Sequence, residues 1–124
     1  MIYLNTLTGE QRIRVEEFFT GLLKEELYTN LLVIDETLYI SKSKYDVPYE
    51  LTFSLLKTSV LPYTTIIPVE ESDLSAVERY LSKYRLRPSD AIHLATMEKQ
   101  GIANVASEDE DLDNVKEVRR IWLT

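Results

Sequence analysis

The sequence predicts an α/β fold built around a parallel sheet, and three observations carry that reading. Short runs that favour strands, such as Leu27-Tyr28-Thr29 and Thr64 to Val69, alternate with helical patterns of ten residues or more. Such alternation implies right-handed crossovers and a parallel sheet covered by helices on both faces. No repeat, low-complexity stretch or linker interrupts the 124 residues, so residues 1–124 read as one domain. Finally, 44% hydrophobic content in a chain of this length is enough for a core without disulfides or structural zinc.

The elements follow in order. Thr8-Gly9-Glu10-Gln11 fits a capping box, in which the Thr8 hydroxyl and the Gln11 side chain satisfy amides left unpaired by the first helical turn. Val15, Phe18, Phe19 and Leu22 then recur at helical spacing, giving one apolar stripe through about Glu26. After the strand at Leu27 to Thr29, Asn30 is placed to cap a helix from about Leu31 to Ser41, and Asp46 to begin another that runs to about Lys57, before the Pro62 break. Thr64 to Val69 forms the second strand. Ser72 opens a helix with Leu74, Val77, Leu81 and Tyr84 on one side, and Ser89 opens a further helix that Gly101 ends as its C′ residue. Asn104 to Ser107 and Arg120 to Leu123 close the chain as strands.

Composition excludes several chemistries. With no cysteine and a single histidine, thiolate nucleophiles, thiolate zinc and multi-histidine metal sites are absent, which leaves carboxylates. No apolar run approaches the roughly 18 residues a membrane span needs, and Met1-Ile2-Tyr3-Leu4 lacks the length and flank of a signal peptide, so a cytoplasmic protein is expected. A net charge of −7 argues against broad binding to phosphate backbones. A nucleic-acid substrate then requires a local basic patch or metal ions, and Lys83, Arg85 and Arg87 supply such a patch if they are not simply solvated at a helix end.

Three stretches set acids at the mouths of apolar elements: Leu32 to Tyr39, Arg87 to Ala95, and Val105 to Leu112. An acid among residues that favour burial costs several kcal/mol unless it is compensated, and a divalent cation is the strongest compensation available. Asp90 lies in the first turn of its helix, where the macrodipole favours negative charge with or without a ligand. Glu36 is either a surface residue between core stripes or an acid turned into a cleft. Glu108 to Asp113 is either a solvated loop or, following a strand, an acid cluster at the carboxyl end of the sheet, where α/β folds bind ligands. Hard cations such as Mg²⁺ or Mn²⁺ suit these oxygens and attract phosphate in turn. His93 and Trp122 read as packing residues.

Together these stretches resemble the PIN domain, in particular the VapC-type toxin ribonucleases. Arg87-Pro88-Ser89-Asp90-Ala91-Ile92-His93-Leu94-Ala95-Thr96, then Gly101-Ile102, then Val105 to Leu112, is similar to the family's carboxyl-terminal half almost position for position. Val33-Ile34-Asp35-Glu36-Thr37-Leu38-Tyr39 is similar to the segment that bears its conserved Glu. The resemblance implies a three-layer α/β/α Rossmann-like fold with catalytic, metal-ligating acids at Glu36, Asp90 and Asp109, and Asp111 as an accompanying ligand. It also implies Mg²⁺ or Mn²⁺ as cofactor, a single-stranded or structured RNA substrate, a homodimer and a small antitoxin partner.

The departure lies at the amino terminus, where the family has an apolar strand ending in its first metal-binding Asp. Either Met1 to Thr6 lies on that strand, with Asn5 in place of the Asp, or Met1 to Thr8 belongs to the following helix, ended by Gly9, and the strand falls upstream. Both alignments leave the site one carboxylate short, so impaired cleavage is expected. Beside the ribonuclease stands a second reading, a catalytically degenerate PIN domain that binds protein or RNA. A receiver-like or phosphatase reading lacks its acid pair after the first strand and its Lys after the last.

Overall fold

The computed structural model describes residues 9–123, so Met1 to Thr8, including the Thr8 half of the capping box and Asn5, lies outside the described residues. Contacts group the chain into two compact units divided between Ile67 and Pro68.

In the first unit, helix α1 spans Gly9–Leu22. Val15 is its buried residue, with Phe18, Phe19 and Leu22 half-buried along the expected stripe. Strand β1, Leu27–Thr29, follows. Asn30 caps helix α2, Leu31–Tyr45, as expected: its side-chain oxygen accepts the Val33 N–H at 3.0 Å, satisfying an amide the first turn leaves orphaned. Asp46 does not start the next helix. It ends α2 in the left-handed conformation at φ 56°, its N–H donating to Lys42 O and its carboxylate 3.3 Å from Lys42 Nζ, and such a conformation is tolerated by Asp better than by most residues. Helix α3 begins instead at Tyr49–Ser59, with Pro48 before it fixing the extended entry. A 3₁₀ turn at Leu61–Tyr63 leads into β2, Thr64–Ile66, which is shorter than the expected run to Val69 because Pro68 offers no N–H to a ladder. β1 and β2 are parallel, Tyr28 opposite Thr65.

In the second unit, the helix expected at Ser72 is preceded by a 3₁₀ turn, Glu71–Asp73, and the capping box is made by Glu70 and Asp73 rather than by Ser72. Helix α4 covers Leu74–Lys83. Of its expected stripe, Val77 and Tyr84 pack against the core, whereas Leu74 and Leu81 are exposed and Tyr80, 1% accessible, faces inward beside them. Helix α5 covers Pro88–Lys99. Its cap position is Arg87, two residues before the expected opening at Ser89, because Pro88 occupies the first helical position that its fixed φ suits. Gly101 follows α5 at φ 67°, as expected of a C′ residue, with its N–H donating to Glu98 O and the Ile102 N–H to Met97 O. Tyr80, Ala91, Leu94 and Val115 form the core of this unit, with Val77, Tyr84 and Met97 against them.

Strand β3, Asn104–Ala106, pairs in parallel with β4, Arg119–Ile121. Each of the two strand pairs among the described residues is parallel, with α2 and α3 between β1 and β2, α4 and α5 between β2 and β3, and the 3₁₀ segment Glu110–Asn114 between β3 and β4.

Candidate functional site

β3 ends at Ala106, and the chain turns at once into a 3₁₀ segment, Glu110–Asn114. Asp109 builds that turn. Its N–H donates to Ser107 Oγ at 3.1 Å, and its Oδ1 accepts the Asp111 N–H at 3.0 Å, an N-cap arrangement that fixes the carboxylate. Arg120 on β4 braces the segment from the neighbouring strand. Its Nη1 donates to Ser107 O at 3.2 Å, and its guanidinium grips Asp113 through two bonds of 2.9 and 3.1 Å. That fork holds the Asp113 carboxyl below its usual value, against the opposing effect of burial.

Asp90 stands in the first turn of α5, as the sequence predicts. Arg87 joins the two acids: its Nε lies 3.3 Å from Asp90 Oδ2, and its Nη2 lies 3.6 Å from Asp109 Oδ2. The carboxylates are largely shielded, at 12% and 28% accessible, while the arginine side chain is 73% accessible. One cation therefore already serves both acids. Asp111 is exposed and contributes its backbone N–H to Asp109. His93 is half-buried, one turn after Asp90, and Trp122 is half-buried next to β4.

Glu36 belongs to the first unit, on α2, where it is half-buried between the exposed Asp35 and the half-buried Thr37. Within either unit, no three His, Asp or Glu side chains among the described residues group closely enough to hold a metal ion. The carboxylate oxygens of Asp90 and Asp109 are of the type a hard divalent cation takes, since Mg²⁺ keeps several of its waters and needs only one or two protein acids. The basic patch is partly spoken for: Lys83 pairs with Glu117 at 3.3 Å, and Arg87 with the two aspartates.

One participant, Arg120, is not singled out by the sequence: it carries no local signal, since its partners lie 7 and 13 residues away and meet it only through strand pairing. The link from Arg87 to Asp90 was legible as an opposite-charge pair three residues apart at a helix start.

A clamp at the far end of α5 positions this helix. Lys99 Nζ reaches Asp73 Oδ2 at 3.0 Å and Pro68 O at 2.6 Å, and Asp73 also accepts the Glu70 N–H at 2.8 Å. The Glu70 N–H first, and Lys99 after it, hold the buried Asp73 carboxyl below its usual range although burial pushes it up. Tyr84 ties α4 to the segment before β4, donating its hydroxyl to Glu117 and accepting the Lys116 N–H at 3.1 Å.

A family model described as PIN domain matches residues 1–118 of the chain. No curated protein matches it.

Proposed function

The chain belongs to the PIN-domain family, and from that membership we propose that it is a Mg²⁺- or Mn²⁺-dependent ribonuclease of the VapC toxin class, acting as a cytoplasmic homodimer and restrained by a small antitoxin. PIN domains are generally nucleases, act on nucleic acids and generally use divalent metals. No helix among the described residues is long and apolar enough to cross a membrane.

One observation supports the reading most: two carboxylates 19 positions apart in sequence, Asp90 at a helix start and Asp109 just past a strand end, share a single cationic partner. Asp90 and Asp109 would hold the metal, with Asp111 as a further acid beside them, while Glu36, in the first unit, is the acid that the family resemblance adds. When bound, such an ion activates water and neutralises the charge that develops on a phosphodiester. The chain's own contribution is positional. The Asp109 cap and the Arg120 brace fix one carboxylate, the first turn of α5 fixes the other, and Arg85 and Arg87 offer positive charge to the phosphates of an approaching strand.

The test is hydrolysis of labelled single-stranded RNAs by the chain, with Mn²⁺ and with chelator, beside Asp90→Asn, Asp109→Asn and Glu36→Gln. Chelator-sensitive cleavage that these substitutions abolish supports the proposal. The second reading, a degenerate member that binds without cutting, is favoured because no three acidic or histidine side chains among the described residues are grouped to hold a metal ion. RNA binding without cleavage, unchanged in Asp90→Asn, decides for it.

A further inference from the structure

We propose that Arg87 is a built-in counter-cation of the acid pair, one that a divalent metal must displace to bind. The inference rests on the metal-site reading above and specifies how that site is regulated. Its basis is geometric. Arg87 caps α5 from outside the helix, with Pro88 fixing the next residue, so its side chain starts beside the first turn that carries Asp90. From there the guanidinium reaches both carboxylates, Nε to Asp90 and Nη2 to Asp109. A positive charge on this pair does what a metal ion does electrostatically: it relieves the repulsion between two shielded acids.

The bridge is also open to an arriving ion. The Arg87 side chain is 73% accessible and meets the two acids at 3.3 and 3.6 Å. Arg120 makes the contrast, gripping Asp113 at 2.9 and 3.1 Å with its side chain only 18% accessible. A divalent ion and a guanidinium a few ångströms apart repel, so the metal enters as Arg87 swings into solvent. The displaced guanidinium then stands at the rim of the site with its charge free for a phosphate, which couples metal occupancy to substrate attraction.

The experiment is a Mn²⁺ titration of the full chain by calorimetry and by the electron paramagnetic resonance signal of free Mn²⁺, for the native protein, Arg87→Gln, Arg87→Lys and Asp90→Asn. Removing one positive charge about 5 Å from a divalent ion in a water-exposed setting tightens binding roughly tenfold. Arg87→Gln should therefore bind Mn²⁺ about tenfold more tightly at low salt, with the gap narrowing as salt screens it. Its melting temperature without metal should fall, and its rise on adding Mn²⁺ should exceed that of the native chain. Arg87→Lys keeps the charge and should stay much closer to native affinity. Equal or weaker Mn²⁺ binding by Arg87→Gln, with binding still lost in Asp90→Asn, overturns the counter-cation inference and leaves the metal site standing. Mn²⁺ binding that is indifferent to Asp90→Asn in every background overturns both.

Discussion

Asp109 carries two separable duties, and a pair of substitutions distinguishes them. Its Oδ1 caps the Glu110–Asn114 turn through the Asp111 N–H, while its Oδ2 faces Arg87 at 3.6 Å. Asp109→Ala deletes the cap, a change worth about 1 kcal/mol, or roughly 3–5 °C of melting temperature in a domain of this size. Asp109→Asn keeps an oxygen in the capping position and should therefore melt closer to the native chain than Asp109→Ala does. If the carboxylate also serves a metal, the two variants converge on function. Both lose the charge, both should show little Mn²⁺-induced rise in melting temperature, and both should cut RNA on the order of 10²–10³-fold more slowly than the native chain. Thermal melts with and without Mn²⁺, and hydrolysis of a labelled RNA, measure the two duties independently. An Asp109→Asn protein that keeps the native metal response would refute the functional half and leave Asp109 as a cap alone.

Three further outcomes follow from the same geometry. Leu94→Ala opens a cavity in the Tyr80, Ala91, Leu94 and Val115 core and should cost about 2–5 kcal/mol in chemical denaturation; a loss below about 1 kcal/mol would mean the α4–α5 interface collapses around the gap. The Ser41 hydroxyl is buried with no hydrogen-bond partner among the described residues, so Ser41→Ala should raise stability by about 1 kcal/mol, and a measured loss would reveal a partner it needs. Asp73, with its carboxyl held below the usual value by Glu70 N–H and Lys99, binds its proton more weakly folded than unfolded. Its contribution is therefore complete above the unfolded pKa, about 4, and is lost as pH falls through the folded value; Asp73→Asn should flatten that part of the acid limb, and an unchanged acid limb would assign it elsewhere.

How much was legible in the sequence depended on whether the signal was local. The Asn30 cap and the Gly101 terminus were read correctly because each acts on amides and carbonyls within a few residues. Asp90 at the start of α5 was equally visible. Asp46 was misread because an acid before an apolar run is a helix-start pattern, while its actual role, a left-handed helix end beside Lys42, belongs to the preceding turn. On α4 half of the expected stripe holds: Val77 and Tyr84 pack against the core, while Leu74 and Leu81 are exposed and Tyr80, stacked on Tyr84 at 6.4 Å, takes the innermost place. Which acids meet was not legible from spacing: Asp90 and Asp109 come within reach of one guanidinium only because α5, the Gly101 turn and β3 return the chain to the start of the helix.

The contrast between Arg87 and Arg120 shows what kind of argument remains open to a sequence. Both sit near acids, and charge counting would treat them alike. What separates them is anchorage. Arg120 extends from a strand paired residue for residue with β3, so its distance to Ser107 and Asp113 is set by the ladder, and its head stays pinned by three donors. Arg87 projects from a cap position with its side chain 73% accessible, and it meets Asp90 and Asp109 at 3.3 and 3.6 Å. Arg120 is therefore suited to shaping the loop that presents Asp109, and the solvent-facing Arg87 to yielding its place. A site that must exchange one cation for another needs both: acids that stay where they are, and a counter-charge that leaves.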